Sequence, residues 1–110
     1  MAPVRGLARF WPRDIRWHHG IVRRVHVEVR GRVQGVFFRS SCVERARTLG
    51  VGGWVRNTLD GHVEAEFEGE PHAVAAILEW CSEGPPFAVV EHVDVKEASP
   101  TGERAFRVAR

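Results

Sequence analysis

Between Arg24 and Arg30 the chain alternates without a break. Val25, Val27 and Val29 fall on one parity; Arg24, His26, Glu28 and Arg30 fall on the other. Period-two alternation assigns each parity to one face of a strand, so this segment is a strand with one buried and one wet face. It runs directly into Gly31-Arg32-Val33-Gln34-Gly35-Val36-Phe37-Phe38-Arg39. From Phe38 the apolar period becomes helical. Phe38, Cys42, Val43, Ala46 and Leu49 share one face, Glu44, Arg45 and Arg47 line the other, and Gly50 ends the run. A strand, a short loop with two glycines and a helix in that order force a sharp turn onto a helix N-terminus.

The remaining elements follow from the same periodicities. Gly52 to Thr58 reads as a second strand, with Trp54 and Arg56 opposite Val55 and Asn57. Leu59-Asp60-Gly61 is a hairpin signal. In the third strand Val63, Ala65 and Phe67 alternate with Glu64, Glu66 and Glu68, predicting an acidic face that is solvated and unpaired. Pro71 opens a second helix with a buried stripe of Val74, Ile77, Leu78 and Cys81, and Gly84-Pro85-Pro86 stops it. Val89 to Glu97 is a less regular fourth strand, because Glu91 shares the parity of Val89, Val93 and Val95. After a turn at Ser99-Pro100-Thr101-Gly102, a short last strand from Ala105 to Arg110 is expected to point Phe106 and Val108 inward. The order βαββαβ plus a short strand predicts an α+β, ferredoxin-like split βαβ sandwich with two helices on one face of an antiparallel sheet. A chain of 110 residues has room for one such domain with one modest core.

Residues 1–20 lack either period and are expected to form an irregular, weakly docked N-terminal extension, leaving 21–110 as the folded domain. The extension has no apolar stretch of the secretory kind, and no apolar run in the chain approaches a membrane span. The expected location is cytoplasmic. The net charge of +2 is uneven: four arginines and one aspartate give residues 1–20 a charge of +3, which leaves −1 for the domain. Electrostatics therefore offers no case for nucleic-acid binding by the folded part. Cys42 and Cys81 both lie on apolar helical stripes and read as reduced core residues, with a disulfide between them left open. The two cysteines and scattered histidines have no metal-type spacing, so neither a metal nor another cofactor is expected.

The loop carries the chemistry. Backbone N–H groups freed by Gly31 and Gly35, a helix N-terminus and the Arg39 guanidinium together suit a cradle for a phosphate. The whole pattern, continued by Gly53-Trp54-Val55-Arg56-Asn57-Thr58, Asp60-Gly61, Val63 and Gly69, resembles the acylphosphatase family over about residues 22–110. The resemblance implies metal-free hydrolysis of the mixed anhydride between a carboxylate and a phosphate. It implies a phosphate-binding loop at Gly31, Arg32, Val33, Gln34, Gly35, Val36 and Phe37, a substrate-binding arginine at Arg39, a water-orienting asparagine at Asn57 and a supporting polar residue at Thr58. The chemistry agrees. An acyl phosphate already has a good leaving group, so the protein must bind the anion, spread its charge and position a water. Arg39 suits the first two tasks and the Asn57 amide the third. Neither motif contains a strong base, so the substrate phosphate is expected to take the proton of the water.

The expected partners are a small acyl phosphate and, as competitors, inorganic phosphate or sulfate, with the protein acting as a monomer. Two other functions use the same element order. An RNA-recognition domain needs aromatic and basic residues on the open sheet face, where this chain has glutamates. A catalytically silent anion-binding domain would keep the loop and lose the chemistry, although both Arg39 and Asn57 are present.

Overall fold

The computed structural model describes residues 21–110; the extension expected over residues 1–20 lies outside them. The elements are β1 (Arg23–Arg32), α1 (Phe38–Leu49), β2 (Gly52–Asn57), β3 (Val63–Gly69), α2 (Pro71–Glu83), β4 (Val89–Ala98) and β5 (Phe106–Val108). The five strands form one sheet in the order β4-β1-β3-β2-β5. The first four pair antiparallel, and β5 adds one parallel pair by lying alongside β2. The split βαβ sandwich expected from the element order is the fold observed.

The core lies between the sheet and the two helices. Val25, Val27 and Val29 of β1 are fully buried, as are Val55 of β2, Phe67 of β3, and Val74, Ile77, Leu78 and Cys81 of α2. The Phe67 ring stacks on Phe106 at 5.5 Å, which docks β5 onto the core. Cys42 and Cys81 are buried free thiols. Burial first, and then the adjoining Cys81, push the Cys42 thiol up, so it stays protonated.

Three details depart from the sequence expectations. In β4, Arg30 pairs with His92 but Gly31 pairs with Val90, so Glu91 has no partner and forms a bulge. The bulge resets the parity. Val90, Val93 and Val95 pack against the core, while Val89 is exposed. At Gly31, a Cβ would lie 2.1 Å from the Val89 carbonyl oxygen, and φ is +130°, so only glycine fits against this bulge. In β5, Phe106 is buried as expected, but Val108 is 41% exposed.

The third departure is the acidic face. Register places Arg24 opposite Glu68 and His26 opposite Glu66 on one side of β3, and Arg56 opposite Glu64 on the other. The glutamates are therefore paired. Arg24 bonds Glu66 at 2.7 Å, Glu68 at 2.9 Å and Glu103 at 3.2 Å. His26 contacts Glu64 at 2.8 Å and Glu66 at 2.7 Å, and Arg56 contacts Glu64. Arg24 and Glu68 are both buried, against the usual rule for charged groups, because each is fully matched. Glu68 also accepts the backbone N–H of Thr101 and of Gly102, each at 2.8 Å.

Burial alone would raise the Glu68 carboxyl pKa. The Thr101 N–H, the Arg24 guanidinium and the Gly102 N–H outweigh it and hold the carboxyl below its ordinary 4.5. A folded-state pKa below the unfolded one contributes stability above the unfolded pKa, and that stability is lost as pH falls through the folded value. Glu68→Gln is expected to destabilise the domain by about 2 kcal/mol at neutral pH, which lowers Tm by about 10 °C. Thermal melts at descending pH should show the gap between wild type and variant closing below about pH 4; a gap constant with pH would contradict the assignment.

Candidate active site

The carboxyl-end loop of β1 forms the site by the way it enters α1. Residues 34–37 bend sharply between the two elements. Gly35 has φ +73° and open space where a Cβ would be. Phe37 is the N-cap of α1 and holds φ 66°, the one left-handed non-glycine among the described residues. For a bulky side chain that conformation costs about 1–2 kcal/mol. The Phe37 carbonyl accepts the Ser41 N–H at 3.1 Å and the Ser40 hydroxyl at 3.2 Å, which fastens the turn.

No side chain caps α1, and its first turn contains no acidic residue. The N–H groups of a helical first turn have no intrahelical acceptors, and the helix dipole concentrates positive potential there. They face a cleft of about 420 Å3 lined by Val33, Gly35, Phe37, Phe38, Arg39, Ser40, Asn57 and Val108. Arg39 is exposed at this cleft and has no hydrogen-bond or ion-pair partner among the described residues. Uncapped N–H groups, a guanidinium unpaired among the described residues and a glycine that leaves room for close approach are the features that suit an anion.

Asn57 ends β2 on the opposite wall, paired with Val63 of β3. Its Oδ1 is buried and lacks a protein partner. A buried amide oxygen without a donor is rare, and here it borders the cleft, where it can accept from a water. Thr58 braces the turn beyond it. The Thr58 hydroxyl accepts the His62 N–H at 3.0 Å and donates to the Asp60 carboxylate. That bond, helped by His62, holds the Asp60 carboxyl below its usual range. Gln34 reaches across from the loop, and its Nε2 donates to the carbonyls of Thr58 and His62, each at 2.8 Å. The loop and the β2–β3 turn are thus tied together on either side of Asn57.

Of the residues singled out in the sequence, Val33, Gly35, Phe37, Arg39 and Asn57 meet at the cleft. Gly31, Arg32, Gln34, Val36 and Thr58 stand outside its lining. Gly31 serves the β4 bulge, and Gln34 and Thr58 hold the two walls in place. Three lining residues are not among the site residues expected from the sequence: Phe38, which the sequence assigns to the buried stripe of the helix, Ser40 and Val108. Ser40 follows Arg39 in the first helical turn, a position that the helix start itself flags. Val108 reaches the site because β5 runs parallel to β2, with Val108 opposite Val55; nothing in the local sequence signals that pairing. Among the described residues no three His, Cys, Asp or Glu side chains converge as a metal site.

Comparison with known proteins identifies the family. The Acylphosphatase family profile matches residues 25–108. An acylphosphatase of Rubrobacter xylanophilus is 60% identical over 87 residues, spanning 78% of this chain and 79% of that protein. The solved acylphosphatase of Coxiella burnetii superposes with a TM-score of 0.77 at 41% identity, covering 80% of this chain and 93% of that one. The Bacillus subtilis acylphosphatase gives 0.78 at 34% identity, covering 82% and 100%. With its sequence and its fold both matching, this chain belongs to the acylphosphatase family.

Proposed function

We propose that the cleft hydrolyses small acyl phosphates to a carboxylate and inorganic phosphate, with Arg39 and Asn57 as the catalytic residues. Membership of the family makes the chain a hydrolase acting on acyl phosphates; the division of labour between the residues rests on the site. The observation that carries it is the meeting, at one cleft, of a guanidinium and a buried amide oxygen that both lack partners among the described residues. The phosphoryl group sits against the N–H groups between Gly35 and Ser40. Arg39 bridges two of its oxygens through a bidentate fork. Asn57 Oδ1 accepts one hydrogen of a water and aims its lone pair at phosphorus. Attack forms the new P–O bond as the bond to the carboxylate oxygen breaks. The proton of the water passes to a phosphate oxygen, and the carboxylate leaves as an anion that needs no acid. Gly31, Arg32, Gln34, Val36 and Thr58 shape and support this cradle, and Val33 and Phe37 line it.

In this mechanism charge stabilisation and positioning supply the rate, and no metal or cofactor takes part. Inorganic phosphate and sulfate compete for the cradle. The domain works as a monomer in the cytoplasm, a compartment that suits two buried thiols in reduced form.

Hydrolysis of benzoyl phosphate in EDTA tests the assignment. Arg39→Ala and Asn57→Ala are each expected to lower kcat by at least about 100-fold, with circular dichroism spectra unchanged because neither side chain belongs to the hydrophobic core. Full activity in either variant, or its loss on chelation in the wild type, would remove that residue or the metal-free route. The rate should be flat in pH around neutrality, since no enzyme base titrates; a basic limb that disappears on replacing one His or Glu would expose such a base.

Residues 21–110 contain every group named, so deleting residues 1–20 is expected to leave kcat/KM for benzoyl phosphate unchanged. A large fall on truncation would assign the extension a part in the site.

A further inference from the structure

The anion cradle accounts for only part of the cleft. Phe37 is 72% exposed and Val108 is 41% exposed, yet both line it. Folding does not explain their identities. The left-handed N-cap position of Phe37 suits glycine or asparagine, and its ring contributes almost nothing to the core. Val108 shares the parity of the buried Phe106 but is itself exposed, where a polar residue would be solvated at little loss.

Their placement relative to the anion site is specific. Phe37 immediately precedes the first-turn N–H groups of α1 and lines the cleft next to them, on the loop side. Val108 pairs with Val55, which is two residues before Asn57 on the same face of β2. It therefore stands beside the water-orienting amide on the β5 side. A phosphoryl group pinned in the cradle must project its acyl group out through the open end of the cleft, past these two side chains.

We propose that Phe37 and Val108 form an apolar acyl-binding wall that makes this chain favour acyl phosphates with an aromatic or other bulky apolar acyl group over those with a short one. The wall rests on the hydrolase assignment above and names the substrate class within it. Contact with the wall removes apolar surface of the acyl group from water in the ground state and the transition state alike, so the preference appears in KM more than in kcat.

The test compares kcat/KM for benzoyl and acetyl phosphate in wild type, Phe37→Asn and Val108→Ser. Asparagine tolerates the left-handed backbone, so Phe37→Asn keeps the loop and stays folded even if Val108→Ser does not. Taking the benzoyl-to-acetyl ratio in each variant relative to wild type cancels the intrinsic reactivities of the two anhydrides. Each variant is expected to lower that ratio by about tenfold, through a raised KM for benzoyl phosphate. A ratio unchanged in Phe37→Asn, or benzoyl and acetyl phosphate losing rate alike, would overturn the wall while leaving the hydrolase assignment intact. No turnover of either substrate by the wild type would overturn the hydrolase assignment and the wall with it.

Discussion

The site depends on the register of three strands at Val63. Val63 pairs with Val29 of β1 on one side and with Asn57 of β2 on the other. With strands about 4.8 Å apart, the end of β1 and the end of β2 are held two strand spacings from each other. The loop leaving β1 therefore emerges beside Asn57, and Gln34 can reach the carbonyls of Thr58 and His62. A slip of one residue would turn Asn57 to the open face and bury the charged parity of β1. The burial of Val25, Val27, Val29, Val63, Ala65 and Phe67 on a single face excludes that slip. Hydrophobic burial at the core is thus what places Arg39 and Asn57 in one cleft.

The open face of the same sheet extends this control to the far edge. Arg24 and Glu68, held buried by mutual pairing, bind the turn that contains Thr101, Gly102 and Glu103. That turn delivers β5 to its parallel position on β2. The Arg47 guanidinium completes the docking through the Phe106 carbonyl at 3.2 Å, and the Ala109 N–H bonds the Val55 carbonyl at 2.9 Å. Val108 is fixed at the cleft by an ion-pair cluster on the opposite side of the sheet. Such a cluster contributes less to stability than its bond count suggests, because desolvating the charges offsets much of the attraction. Its effect here is geometric: it specifies where the last strand lies.

The loop concentrates strain at one residue. Phe37 holds a left-handed backbone so that the chain can turn into α1 with its first N–H groups uncapped and facing the cleft. An acidic or hydroxyl cap would stabilise the helix by about 1 kcal/mol and would occupy those donors. Leaving them free, next to an arginine without a partner among the described residues, yields a surface suited to an anion, so little rearrangement is needed on binding.

Much of this was legible in the sequence. Strict alternation in β1, helical stripes in α1 and α2, and the Asp60-Gly61 turn are local patterns, and they carried the element order and the fold. The loop motif and Asn57 stood out through their resemblance to the acylphosphatase family, because each lies in a contiguous stretch that matches the family pattern, and the structure brings both to one cleft. What only tertiary structure decided are relations between strands remote in sequence. The glutamates of β3 looked unpaired because their cations come from β1 and β2, 42 residues away for Arg24 and Glu66. Glu91 spoiled the parity of β4 because the bulge belongs to the pair with β1, not to β4 alone. Val108 looked like core because parity reports only which face a residue takes; whether a helix covers that face is settled by packing. Periodicity is a property of one strand, whereas charge pairing, bulges and the apolar wall of the cleft are properties of two or more.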